Sequence, residues 1–126
     1  MVASHKWKFG TINVRTGRED SKLNNIIKEI DKANLSICAI QELRRLSTGS
    51  ACISSTLNGK TTDYEIYWKG HTSKRIHGVG IAVKVDPRID ITNVNYVSAR
   101  IISMEVTFYG CSLKIVNAYA PTEDDR

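Results

Sequence analysis

Long apolar runs are missing from this chain. No stretch approaches the ~20 residues needed to span a bilayer. Met1 to Lys8 contain no apolar segment of the signal-peptide kind. Both absences predict an intracellular protein with no membrane span. Cysteine is scarce: Cys38, Cys52 and Cys111 are odd in number and show no CxxC spacing. That argues against a zinc site and leaves reduced thiols as the default. Cys38, inside an apolar strand, reads as a small core residue. Repeats, low-complexity tracts and linker composition are absent as well. His5 lies near the N-terminus, and His71 and His77 flank a basic loop and lack a partnered Asp or Ser at a recognisable spacing, so no nucleophilic triad is supported. Gly78-Val79-Gly80 opens a strand rather than a helix, which excludes a phosphate-binding fingerprint there.

What is present is ordinary for a globular domain. The chain has 126 residues, 41% apolar and 25% charged, enough for one domain or a piece of one. The net charge is +5 and the pI about 9.2. A polyanionic partner fits this balance, and so does a mildly basic surface with no such partner. The bases are scattered, with small clusters at Arg44-Arg45 and Lys74-Arg75.

The first third reads as strand, helix, strand. Trp7 to Val14 predicts a strand, with Phe9, Ile12 and Val14 as core candidates. Asp20 or Ser21 supplies a helix N-cap. Leu23, Ile26, Ile27, Ile30 and Ala33 make one apolar helix face, and Asn34 a left-handed stop. Leu35 to Gln41 has the near-continuous apolar pattern of a strand buried on both faces. The helical crossover returns this strand parallel to the first. Both strands then end at one sheet edge, where open α/β sheets bind ligands.

Further on, Ser47 to Ser50 with Gly49 reads as a loop, and Ala51 to Ile53 with Leu57 as a short helix or strand. Asn58-Gly59 is a turn signal. Tyr64 to Trp68 is a strand, Lys69 to His77 a polar basic loop, and Gly78 to Val85 a buried strand that Asp86-Pro87 terminates. Ile89 to Asn93 is a short strand. Arg100 to Phe108 alternates, with Ile102, Met104, Val106 and Phe108 on one face. Tyr109-Gly110 is a hairpin turn, and Leu113 to Tyr119 completes the pair. One helix covers one sheet face only. The doubly apolar strands therefore predict a large exposed apolar face, or self-association to hide it.

Asn13, Glu42 and Tyr119 each close a strand. Glu42 is either a strand-end polar residue or a hard oxygen ligand of the kind Mg²⁺ takes. Asn13 is either a turn former before Gly17 or an amide orienting a carboxylate or phosphate oxygen. Tyr119 is either an edge aromatic or a phenol aimed at developing charge.

Thr11-Ile12-Asn13-Val14-Arg15-Thr16, Ile40-Gln41-Glu42, Gly78-Val79-Gly80-Ile81-Ala82-Val83 and Val116-Asn117-Ala118-Tyr119-Ala120-Pro121-Thr122 follow one another in this order. Together they resemble the endonuclease/exonuclease/phosphatase superfamily. Asn-Val-Arg-Thr and Tyr-Ala-Pro-Thr-Glu-Asp most resemble its retrotransposon branch, which includes LINE-type endonucleases and the craniofacial development protein 2 group. The resemblance implies a DNase I-like, four-layered α/β sandwich and Mg²⁺- or Mn²⁺-dependent hydrolysis of DNA. Glu42 would be the metal ligand, with Asn13 beside it, and Tyr119 would contact the scissile phosphate. Arg15, Arg44, Arg45, Lys74 and Arg75 are the candidate nucleic-acid contacts. Arg15 stands where abasic-site endonucleases often carry an acidic residue, which speaks against that specificity.

The family's later motifs, a Gly-Asp-x-Asn stretch, a further Asp and a terminal Asp-His pair, do not occur in residues 1–126. The resemblance therefore implies a partial domain, the N-terminal half, inactive without its C-terminal half. DNA and that missing half, or a second copy, are the expected partners, and the nucleus is one compartment this would serve. Two other readings stand beside it. One is a non-catalytic nucleic-acid-binding or relic fragment of a retroelement-derived protein. The other is a phosphatase of the same superfamily.

Overall fold

The structure, a computed structural model, describes residues 7–17, 19–108 and 110–120. His5, Tyr109 of the expected hairpin turn, and the motif residues from Pro121 onward lie outside the described residues.

The chain opens with β1 (Phe9–Asn13), α1 (Asp20–Lys32) and β2 (Ile37–Gln41). The two strands pair in parallel, from Phe9 opposite Ile37 to Asn13 opposite Gln41, as a helical crossover requires. Leu23, Ile26, Ile27 and Ile30 are the buried stripe of α1. The helix starts differently from expectation. Glu19 is the N-cap and makes no side-chain capping bond, and Asp20 is already helical. An acidic first turn still suits the positive end of the helix dipole. Ala33 is the exposed C-cap rather than part of the apolar face. Asn34 stops the helix in the left-handed conformation, with φ +55°.

The segment expected to be partly loop is a long strand instead. β3 (Thr48–Leu57) and β4 (Lys60–Lys69) form a hairpin closed by Asn58-Gly59, whose φ angles are +51° and +78°. Positive φ at both positions matches the twist of the flanking strands. Gly49, read as a loop residue, lies in β3 against the Trp68 ring. A Cβ there would come within 2.3 Å of Trp68 Cζ2. β5 (Val79–Lys84) completes a mixed five-stranded sheet of order β1-β2-β5-β4-β3. Val79 to Val83 are all buried.

The chain then reverses. Arg88 donates to Asp86 from its backbone and, fork-like, from its guanidinium, while Ile89 N donates to Asp86 O. The hydrogen-bonded guanidinium holds the Asp86 carboxyl down at about 2. Arg88 also lies 4.9 Å from the Trp7 ring centroid, and Trp7 packs on Phe108 at 4.8 Å. From this corner β6 (Ile89–Ser98), β7 (Ile101–Phe108) and β8 (Cys111–Ala118) form a second, antiparallel sheet. Ile102, Met104, Val106 and Phe108 face inward together.

This second sheet overturns the expected bare face. The helix packs on one face of the larger sheet through Leu23, Ile27, Ile30, Tyr64, Ile66 and Trp68. The smaller sheet packs on the other through Ile37, Val79, Ile81, Val83, Met104 and Val106. The doubly apolar strands β2 and β5 are thus covered on both sides within the chain. Phe9 is also a correction: it is 52% exposed, because β1 is an edge strand. The architecture is mixed α/β, mostly strand, with one helix and two sheets among the described residues. Burial pushes the Cys38 thiol up to about 11, consistent with an inert core cysteine. Among the described residues no helix is long and apolar enough to cross a membrane.

Candidate active site

Strand directions decide what meets at the mouth of the larger sheet. β1 and β2 end there. β5 runs antiparallel to β2 and starts there, with Val79 opposite both Gln41 and Lys69. The 42–47 and 70–78 connections therefore share one edge. The smaller sheet contributes from its own end, where Gly78 N donates to Ala99 O and Tyr119 N to Arg100 O.

The 42–47 connection is held down by its backbone. Leu43 N donates to Gly78 O and Arg44 N to His77 O. Ser47 N donates to His71 O, and Gly70 N to Ser47 O. Leu43 is fully buried. Glu42 and Arg44 on either side have left-handed backbone, φ +59° and +55°. Such conformations are costly for non-glycine residues and gather at functional sites.

Glu42 is the acidic centre of this edge, its side chain only 15% exposed. The Tyr119 hydroxyl donates to Glu42 Oε1 at 3.2 Å, and Arg44 Nη2 lies 3.4 Å from the same oxygen. The His77 ring lies 6.0 Å from the Tyr119 ring. Glu42 and Tyr119 are therefore brought together from different sheets. Asn13 sits opposite Gln41, one residue before Glu42. Its side chain is exposed and accepts a hydrogen bond from Arg15 N at 3.2 Å. That is the turn-forming role, made at the same edge.

The basic candidates divide. Arg15 and Arg44 flank the mouth, and Lys74 and Arg75 lie on the exposed 71–77 loop beside it. Arg45 points elsewhere. It lies 4.4 Å from the Trp68 ring centroid, donates to Gly17 O at 2.9 Å and pairs with Asp20. It fastens the start of α1 to the sheet edge. Lys69, opposite Val79, and Arg100, whose carbonyl accepts from Tyr119 N, have their backbones at the same edge, and the sequence did not single them out.

Sequence reasoning also missed a buried amide network behind Glu42. Asn117, 3% exposed, donates from Nδ2 to Ile40 O at 2.9 Å and Gly80 O at 2.8 Å. Its Oδ1 accepts from Gln41 Nε2 at 2.9 Å, and that amide also reaches Thr11 Oγ1. One side chain of β8 is thereby tied to β2 and β5, two residues before Tyr119. Asn117 lies in a motif quoted above, but alternation along a strand cannot say that an amide points inward.

Among the described residues no three His, Cys, Asp or Glu side chains cluster to hold a metal. A lone carboxylate is a ligand Mg²⁺ can take, since that ion keeps most of its waters and uses one or two protein carboxylates. Chemically, the edge offers a hard anionic ligand, a phenol donor and a rim of Arg and Lys around them.

No family model matches the chain. It shows weak homology to craniofacial development protein 2 of Tragulus javanicus, at 31% identity over 114 residues. The match takes in 90% of this chain and spans 18% of the length of that relative.

Proposed function

We propose that this chain is the N-terminal part of a metal-dependent DNA endonuclease domain of the endonuclease/exonuclease/phosphatase type. The observation that carries the reading is the Tyr119–Glu42 contact. A phenol from one sheet meets a carboxylate from the other inside a basic rim, on residues whose motifs resemble that superfamily. The homology to craniofacial development protein 2 supports it. Glu42, with Asn13 beside it, would hold Mg²⁺ or Mn²⁺, which neutralises charge on a phosphate oxygen when bound. Tyr119 offers a hydrogen bond to developing charge at the phosphorus. Arg15, Arg44, Lys74, Arg75 and Arg100 hold the phosphodiester backbone without reading its sequence. The complete domain would be the four-layered sandwich, with the remaining layers supplied by a C-terminal half. DNA as substrate makes the nucleus a fitting location.

A second reading is non-catalytic nucleic-acid binding by this chain alone. Among the described residues no group of three His, Cys, Asp or Glu side chains gathers at the mouth, and that favours it. Proton transfer by a positioned group contributes ~10²–10⁴-fold, so the chain alone should cleave at background.

Nicking of supercoiled plasmid with Mg²⁺ tests the proposal. The 126-residue chain should leave the plasmid intact. A longer chain carrying the later motifs should nick it, and Glu42→Ala should lower that rate by at least ~10²-fold. Robust nicking by the short chain that Glu42→Ala abolishes would show that the later motifs are dispensable. Nicking by the longer chain that ignores Glu42→Ala would remove Glu42 from the site.

A further inference from the structure

Arg44 and Glu42 share a connection whose backbone is hydrogen-bonded on both sides of Leu43, while the Arg44 side chain is partly exposed. Arg44 N is bonded to His77 O at 2.8 Å. The Arg44 side chain is 40% exposed and meets Glu42 at 3.4 Å, longer than the roughly 2.7–2.9 Å of a strong charge-assisted bond. Glu42 is held more deeply, and its other partner, Tyr119, carries no charge. A partly shielded carboxylate is stabilised by a cation beside it. A guanidinium and a divalent cation on the same carboxylate repel each other. A guanidinium, however, binds a phosphate at least as well as a carboxylate, through paired N–H donors.

We propose that Arg44 is a displaceable counter-ion of Glu42, neutralising the carboxylate in the free protein and moving to a phosphate oxygen when a nucleic-acid backbone enters the mouth. The divalent cation and the phosphodiester then bind together, each raising the affinity of the other by the same factor. This rests on the reading of Glu42 as the metal ligand.

The test measures Mn²⁺ binding to the full chain by calorimetry and by paramagnetic broadening of its NMR signals, with no turnover involved. Glu42→Gln should abolish the binding. Arg44→Gln should tighten it about tenfold in the absence of nucleic acid, an ordinary coupling, and Arg44→Lys, which keeps the charge, should leave it near wild type. A short DNA duplex should tighten Mn²⁺ binding to the wild type about tenfold and to Arg44→Gln by less than about twofold. Circular dichroism confirms that each variant is folded. If Glu42→Gln abolishes binding but Arg44→Gln binds Mn²⁺ no more tightly than wild type, the counter-ion role is overturned and Glu42 remains the ligand. If Glu42→Gln leaves Mn²⁺ binding unchanged, the metal reading is overturned and the coupling with it.

Discussion

Asn117 shows how much one side chain can decide. Its Nδ2 faces two backbone carbonyls, Ile40 O and Gly80 O. Asn117→Asp keeps the shape but sets an oxygen against both. A buried polar group without its partner costs about 1–3 kcal/mol, and here a charge is buried as well. Asn117→Asp should therefore destabilise the chain by roughly 3 kcal/mol or more at neutral pH. Asn117→Ala should cost less, and urea unfolding distinguishes the two. Asp86 makes a prediction of opposite kind. Its carboxyl lies at about 2 when folded, against an ordinary value of 3.8, chiefly through the Arg88 hydrogen bond. The folded state thus binds the proton less well than the unfolded chain. The stabilisation is fully present above 3.8 and is lost as pH falls through about 2. The stability gap between wild type and Asp86→Asn should close over that window in thermal melts, and a constant gap from pH 5 to pH 2 would contradict it.

At the scale of the element, the 42–47 connection behaves as part of the sheet rather than as a loop. Gly70 is the place where this is most exacting, since a Cβ there would lie 1.6 Å from Arg45 O. That neighbour is backbone and cannot swing aside. Gly70→Ala should lift the connection that carries Glu42, at a cost of about 3 kcal/mol or more. Gly59, in the β3–β4 turn, has φ +78° and nothing within 4 Å of an added Cβ. Gly59→Ala should cost only the left-handed backbone penalty of ~1–2 kcal/mol. Denaturation midpoints of the pair test this ranking. Equal losses would mean that the connection is free to move.

Over the whole molecule, stability should follow cover. β2 and β5 lie between helix and second sheet. β8 is an edge strand with Leu113 at 40% and Val116 at 59% exposure. Amide hydrogen exchange should be slowest in β2 and β5 and far faster in β8 and β1. Uniform protection across both sheets would contradict this.

The parallel β-α-β start was legible because periodicity alone distinguishes a 3.6-residue stripe from an apolar strand. The inward face of β7, the Asn58-Gly59 turn and the Asn34 stop were legible for equally local reasons. Strand-end position and motif order pointed to Glu42 and Tyr119. What they could not supply was partnership. Whether the last three strands extend the first sheet or cover it depends on the local Asp86–Arg88 corner together with the Trp7–Phe108 contact, which joins residues far apart in sequence. The direction of Asn117 toward Ile40 and Gly80 was likewise decided only when the two sheets closed on each other, and that of Arg45 toward Trp68 only when α1 docked on the larger sheet. An alternating pattern fixes which residues share a face, but packing determines what that face meets.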